Sequence, residues 1–528
     1  MAAMNKLRES ISWGGPCAVA VLLILCVFLL RIPSALHPHE WNVDESQMLS
    51  QGMKLLVDPV PWRSVDGTTG GPVNSYLVTL LLRLGIKPGY LMVHWLASVL
   101  ICLQMLVAYL TLLRLSSKAI AAWIVLPMAV PYGLAHGSEF SHYSSELLPA
   151  LLLGCGFYSL TIWYGRPRAS LLFLSGIAVG TSIWCKLQAL PIAGALSLAA
   201  LWIVFQTETL SSRRTRLAHA GAYSAGALLP ACFILAIVAQ AGVTRDFWYS
   251  YVLQNIAYAG RGSWRTTVHH ALLWNVEPVL QPLLAVCVFA VLAFFCRPPS
   301  QYSLVCRQNR RLLVALAIYM GGALLAASRP ETLFAHYANF LLFPAVCLGG
   351  IAVANATPRS RRAWFVVSAL IAIVPLSVHV CHYYRFAVAM RAELRHPTAD
   401  SNDRIAGVVE EIRHTRPVTS LAIWGWAPGV YVLTGIPPAT RDAIGHFVIS
   451  PGPLQGYFRR RFVGDLRRRM PDVFIDAIAP GPLLWNWSLA DGYESDPELR
   501  LFVDQNYELV DQLELVPGPK KIRFFLRR

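Results

Sequence analysis

The chain predicts a polytopic α-helical membrane protein with about 11 transmembrane helices, followed by a smaller extracytoplasmic α/β domain. Three observations carry that expectation. Hydrophobic residues make up 55% of the sequence against 14% charged, and the mean hydropathy is +0.48. Apolar runs close to the roughly 20 residues needed to cross hydrocarbon recur along the first three quarters of the chain. Beyond about residue 384 the composition turns polar, rich in Arg and Asp, with short β-like runs.

The apolar runs fall near 15–30, 91–113, 119–135, 147–164, 170–184, 188–206, 220–240, 272–296, 312–328, 339–356 and 363–383. The first follows the basic Lys6 and Arg8 and precedes no small-residue cleavage pattern, so it reads as a retained helix rather than a removed signal. With the N-terminus in the cytoplasm, the inside loops are Arg114 to Lys118, Arg166-Pro167-Arg168, Arg213 to Arg216, Arg297 to Arg311 and Arg359 to Arg362. Each is basic, as the positive-inside rule requires. The formal charge of +16 is therefore explained by membrane orientation, and a nucleic-acid partner is not expected.

Two parts follow: a membrane module over 1–383, with a first external loop at 34–89, and an external domain over 384–528. In the tail, Leu421 to Trp424, Val473 to Asp476 and Ile522 to Leu526 read as strands, and Pro428 to Thr434 starts a helix. All eleven cysteines lie between Cys17 and Cys381, mostly in apolar runs, so a disulfide framework outside is not expected.

The external loops hold the chemically informative residues. Asp44-Glu45 follows the first span, and a second acidic and aromatic cluster, Glu139 to Glu146, opens a later one. Carboxylates are costly in hydrocarbon and tolerated at its aqueous edge, so two such clusters on one face point to catalysis there. The spacing of Met48, Leu49, Leu55 and Leu56 predicts a helix over 44–57 lying along the membrane interface, with Asp44 near its N-terminus, where a carboxylate is favoured. A helix cap with solvated charge explains the same pattern without catalysis. The aromatic and basic stretch from Arg245 to Arg265 suits a sugar or a lipid phosphate, and equally an aromatic belt at the membrane edge.

An Asp-Glu pair after the first span, a following helix and the segment Gly71-Pro72-Val73-Asn74-Ser75-Tyr76 together resemble the GT-C glycosyltransferases. The likeness is to their branch of protein O-mannosyltransferases and lipid A aminoarabinose transferases (glycosyltransferase family 39). Glu146, Lys186 in Trp184 to Pro191, and the Arg329 to Pro344 segment with His336-Tyr337 resemble that branch in order and placement, over roughly residues 10–385.

The resemblance implies transfer of a sugar from a polyprenyl-phosphate donor to a lipid, cell-surface glycan or protein acceptor, with inversion, at the outer face of a bacterial inner membrane. It casts Asp44 as catalytic base, with Glu45 and Glu146 as further acidic residues. Lys186, Arg329, His336 and Tyr337 meet the donor phosphate. Arg63, Asn74, Tyr76, His142, Arg261 and Arg265 are candidate groove residues, with Asp66 beside them in the first loop. A divalent metal, Mg or Mn, on Asp44 and Glu146 belongs to the same expectation, although His37, His39 and His142 nearby are not the oxygen ligands such ions prefer. Two other polytopic classes compete: a lipid-linked-sugar flippase, and an O-antigen polymerase or ligase. The one-sided carboxylates and the absence of a visible internal repeat weigh against the flippase. Acceptor recognition is the expected role of the tail.

Overall fold

The structure, a computed structural model, describes residues 14–210, 212–260, 309–330, 334–355 and 358–528. The apolar run 272–296 and the groove candidates Arg261 and Arg265 lie outside the described residues. In chain order the helices of the first part are α1 (Gly14–Leu30), α2 (Val43–Val57), α3 (Pro72–Arg83), α4 (Tyr90–Leu115), α5 (Lys118–Leu134) and α6 (Leu147–Gly165). They continue as α7 (Ala169–Cys185), α8 (Leu190–Gln206), α9 (Arg213–Gln240), α10 (Arg310–Ser328), α11 (Asn339–Asn355) and α12 (Pro358–Arg395). The last part holds α13 (Ser401–Thr415), β1 (Leu421–Trp424), α14 (Gly429–Thr434), α15 (Gln455–Arg469), β2 (Val473–Asp476), α16 (Pro497–Asn506), β3 (Tyr507–Leu513) and β4 (Ile522–Arg527).

Every other apolar run coincides with a helix. Among the described residues six helices are long and apolar enough to cross a membrane, and α1 and α7 are shorter apolar helices. The described cysteines are all free. The chain folds as two compact units: Met1–Leu36 with His94–Cys232 and Ala259–Arg391, and His37–Val93 with Phe233–Tyr258 and Ala392–Arg528. The first external loop and the polar tail thus belong to one unit.

In the first unit, close helix packing depends on missing side chains. A Cβ on Gly176 would collide with the Tyr223 carbonyl, one on Gly180 with the Ala227 carbonyl, and one on Gly226 with the Phe173 carbonyl. Small residues spaced by four let two helix backbones touch where lipid gives no hydrophobic drive for association. Gly180→Leu is expected to force α7 from α9 and destabilise the unit by about 1–3 kcal/mol. Heating the detergent-solubilised variant and measuring the monodisperse fraction checks this; an unchanged midpoint would refute the packing argument.

In the second unit the sheet runs β1-β2-β4-β3, with β1 parallel to β2 and the other pairings antiparallel. Alternation sorts its two faces. Leu421, Ile423, Val473, Ile475 and Phe524 join one core with Ile405 and Val409 of α13. Ala422, Trp424, Phe474 and Phe525 join a second core with Phe458 and Phe462 of α15.

α2 departs from expectation. Glu45 to Leu55 is buried along its whole length, so it does not lie along an interface with a wet face. Its polar side chains are taken up internally: Gln47 donates to the Gly67 carbonyl (3.2 Å) and Thr68 Oγ1 (3.0 Å), Gln51 to the Asp66 carbonyl (2.8 Å), and Lys54 to the carbonyls of Ala439 and Thr440. A helix can be polar and buried when each group finds such a partner.

Just before α2, Glu40 accepts hydrogen bonds from Ser46 Oγ and from Asn402 Nδ2 (2.8 Å). Burial raises its carboxyl to about 7, with Asp400 and Glu45 adding to the rise while the Ser46 and Asn402 bonds oppose it. A group raised on folding stabilises the native state below its unfolded value and loses that contribution as pH climbs through its folded value, here between about 4.5 and 7. Glu40→Gln is therefore expected to match wild type near pH 5 and to exceed it by roughly 1–3 kcal/mol at pH 8. Melting temperatures across pH 5–8 read the effect, and parallel curves would rule it out.

Candidate active site

In the first unit, the break between α7 and the 3-10 turn Leu187–Ala189 leaves Lys186 extended at the helix end, with only 4% of its surface exposed. Its ammonium bonds to Glu146 Oε1 and to Ser145 Oγ (2.9 Å), and lies 5.0 Å from the centre of the Tyr337 ring. Glu146, the residue before α6, is fully buried; its other oxygen accepts from Ser144 Oγ and Ser145 Oγ. Burial works against its charge, but Lys186 and then His336 outweigh burial and hold the carboxyl down at about 2.

His336 joins the same cluster. Its Nδ1 lies 2.8 Å from Glu139 Oε2, its backbone N–H donates to that oxygen (3.2 Å), and its Nε2 lies 3.9 Å from Glu146 Oε1. The His142 ring meets it edge-on at 5.1 Å. Glu139 is held at about 2, with burial opposing and the His336 bond and charge prevailing. Lys186, Glu146, His142, His336 and Tyr337, distant in sequence, therefore form one buried ionic cluster. Arg329 stands apart: it is exposed at the end of α10 and makes no hydrogen bond or ion pair among the described residues.

Sequence reasoning gave no role to Glu139, although it lay within the quoted acidic cluster, nor to Arg31. Arg31 is 1% exposed and donates to Ser98 Oγ (3.1 Å) and to the carbonyls of Tyr132 (3.0 Å), Phe140 (3.0 Å) and Ser141 (2.9 Å). It thereby pins the backbone that carries Glu139 and His142. A single Arg at the end of an apolar run reads as an ordinary interfacial residue, so no sequence signal marked it.

In the second unit, Asn42 caps α2 by accepting from the Asp44 N–H (3.1 Å), which sets Asp44 in the first turn. Its side chain is half-buried and, among the described residues, takes part in no hydrogen bond or ion pair. Glu45 differs: it is fully buried, and its carboxylate accepts the Trp41 N–H (2.9 Å), closing the helix entry. Arg63 is paired in a fork with Asp58 (3.0 and 2.6 Å), and Tyr76 donates to the Pro59 carbonyl (2.6 Å). Asn74 is buried in the first turn of α3. Asp66 is buried against Arg461 (2.6 Å), which also pairs with Asp442 and donates to Ser250 Oγ (2.7 Å).

A metal on Asp44 and Glu146 needs free carboxylate oxygens. Both oxygens of Glu146 are already engaged, one by an ammonium, so as placed it offers none to Mg or Mn without displacing Lys186.

The architecture has known counterparts. ArnT from Cupriavidus metallidurans bound to undecaprenyl phosphate aligns over 96% of this chain and 97% of its own, with a TM-score of 0.62 at 12% identity. The fold is that of the GT-C membrane glycosyltransferases. The apo form of the same ArnT gives a TM-score of 0.60 at 13% identity, over 96% of this chain and 97% of that one. The Archaeoglobus fulgidus oligosaccharyltransferase, tethered with an acceptor peptide, gives 0.49 at 12% identity, over 97% and 74%. No known protein-family profile and no curated protein sequence matches the chain. Together with the six helices that are long and apolar enough to cross a membrane among the described residues, this fold supports an integral membrane protein, while its chemistry has to be argued from its own residues.

Proposed function

We propose that this protein is a glycosyltransferase that moves a sugar from a polyprenyl-phosphate donor to an acceptor on the extracytoplasmic face of a bacterial inner membrane, with its N-terminus in the cytoplasm. The observation that carries the reading is the buried Lys186 cluster: a cation held by Glu146 and Ser145 beside Tyr337 and His336, in a GT-C fold whose ArnT counterpart has undecaprenyl phosphate bound.

Asp44 accepts the proton of the acceptor hydroxyl as that oxygen forms its bond to the anomeric carbon. The bond from that carbon to the donor phosphate oxygen breaks, its electron pair leaves with the polyprenyl phosphate, and the configuration inverts. Negative charge grows on the leaving phosphate, and Lys186 with His336 and Tyr337 supplies the cation and donors that stabilise it. Arg329, exposed and without a protein partner among the described residues, meets the phosphate as it arrives or departs. Glu146 orients Lys186, Glu45 secures the helix entry that carries Asp44, and no step is routed through a metal. Asn74, Tyr76, His142 and Arg63 stand as groove residues, the last after release from Asp58. The acceptor is a lipid, a surface glycan or a protein.

The test is transfer by the purified protein from polyprenyl-phosphate sugars, incubated with membrane extract and followed by mass spectrometry, with and without EDTA. A product heavier than its acceptor by one sugar, together with free polyprenyl phosphate, is the expected result. Polyprenyl phosphate released with no glycosylated product, or no consumption of any single-sugar donor, would reject the proposal.

A further inference from the structure

A second arrangement in the α/β part takes no part in this chemistry. β1 and β2 are parallel neighbours; β1 ends at Trp424 and runs into Gly425-Trp426, and the chain beyond β2 reaches Trp485-Asn486-Trp487 after residues 477–484. The crevice at the carboxyl ends of parallel strands is the usual place for a ligand in open α/β sheets. Here the indoles of Trp426 and Trp485 stack with ring centres 4.4 Å apart and planes 4° from parallel, and Trp487 meets Trp426 edge-on at 5.9 Å. The His446 imidazole stands against the same pair, at 5.6 and 6.5 Å.

The arms that carry these rings are locked together. The Ala477 N–H donates to the Trp424 carbonyl (2.9 Å), the Gly445 N–H to the Gly425 carbonyl (2.8 Å), and the Trp487 indole to Ser450 Oγ (2.9 Å). Gly425 has φ +140°, and a Cβ there would meet that of Ala477 at 2.9 Å, so only glycine lets the two turns close on each other.

Two costs are concentrated at this corner. Trp485 sits at φ +54° and ψ −140°, a backbone conformation that residues other than glycine rarely adopt and that is strained. His446 Nδ1 is buried with no hydrogen-bond partner among the described residues, which is a further cost to the fold. Burial keeps this ring neutral by lowering it to about 4. Strain and an unmet polar atom held together mark a place shaped for something other than stability. Trp426 and Trp485 remain half-exposed, and Asn486 between the indoles is exposed.

We propose that this stacked-tryptophan corner is a second carbohydrate-binding site, which takes one or two sugar rings of a glycan. A pyranose offers a flat face of C–H groups that packs on an indole, and hydroxyls at its rim that bond to the exposed Asn486 amide. The inference uses the α/β part alone and does not depend on the transfer reaction.

The full-length protein, in phosphatidylcholine nanodiscs to avoid sugar-headed detergents, is titrated calorimetrically with gluco-, manno- and galacto-oligosaccharides of two to seven units, with no polyprenyl donor present. At least one series is expected to bind with a Kd on the order of 0.1–5 mM, a range usual for shallow sites. Trp426→Ala and Trp485→Ala are expected to weaken it at least tenfold, and His446→Ala several-fold. Trp485→Gly, which removes the indole and relieves the backbone strain, should lose binding while the protein stays folded, so it separates a binding defect from unfolding. No binding tighter than about 10 mM in any series, or wild-type affinity in Trp485→Gly, would overturn the inference. Because binding is read without donor, failure of this site and failure of the transferase reading are separate results.

Discussion

Lys186→Met is expected to lower sugar transfer by at least about 10³-fold and to destabilise the protein by about 3–5 kcal/mol. The two losses have different causes. Stability falls because Glu146, fully buried, loses its ammonium partner, and breaking one side of a buried pair costs more than the pair contributes. Activity falls because the leaving phosphate loses its cation. The double variant Lys186→Met/Glu146→Gln separates them. With both charges gone, the neutral amide can still accept from Ser144 and Ser145, so most of the stability should return while transfer stays lost. Glu146→Gln alone also breaks the buried pair and should lose stability, yet it should retain more activity than Lys186→Met, because the ammonium survives with Ser145 as partner. Thermal midpoints and initial rates on the three variants decide the matter. Recovery of activity in the double variant would remove Lys186 from the chemistry and leave it a structural residue.

The hydrophobic runs were the most legible part of this chain, since burial in lipid imposes length and composition directly on each helix. The strands β1, β2 and β4 were legible because they are short apolar runs buried on both faces. β3 was not, because Tyr507 to Leu513 is an edge strand exposed along most of its length and reads as polar loop. The acidic clusters and Lys186 stood out as ionisable groups beside apolar spans. Their partners were less legible, because pairing of residues such as Glu139 and His336, 197 positions apart, is decided by the fold rather than by local pattern. The interfacial expectation for α2 failed for a related reason: its polar face is matched by backbone carbonyls at Gly67, Asp66, Ala439 and Thr440, acceptors that no sequence pattern displays.

Asp44→Asn is the second large expected effect: a fall of about 10²–10⁴ in the rate of transfer with the fold and donor affinity retained. The substitution changes two atoms' chemistry and almost nothing else. The Asp44 side chain takes part in no hydrogen bond or ion pair among the described residues, so the amide breaks none, and the Asn42 cap on the backbone N–H remains. What disappears is the capacity to take a proton from the acceptor hydroxyl. The loss should therefore appear in kcat, with KM for the donor nearly unchanged, and should shrink for acceptors whose hydroxyl is already acidic. Glu45→Gln provides the contrast, because its carboxylate holds the Trp41 N–H in a buried position. An amide oxygen can replace that acceptor, so this variant should lose some stability and comparatively little rate. If Asp44→Asn transfers sugar at the wild-type rate, or if Glu45→Gln shows the steep loss instead, the proton goes elsewhere and the base assignment at Asp44 is wrong.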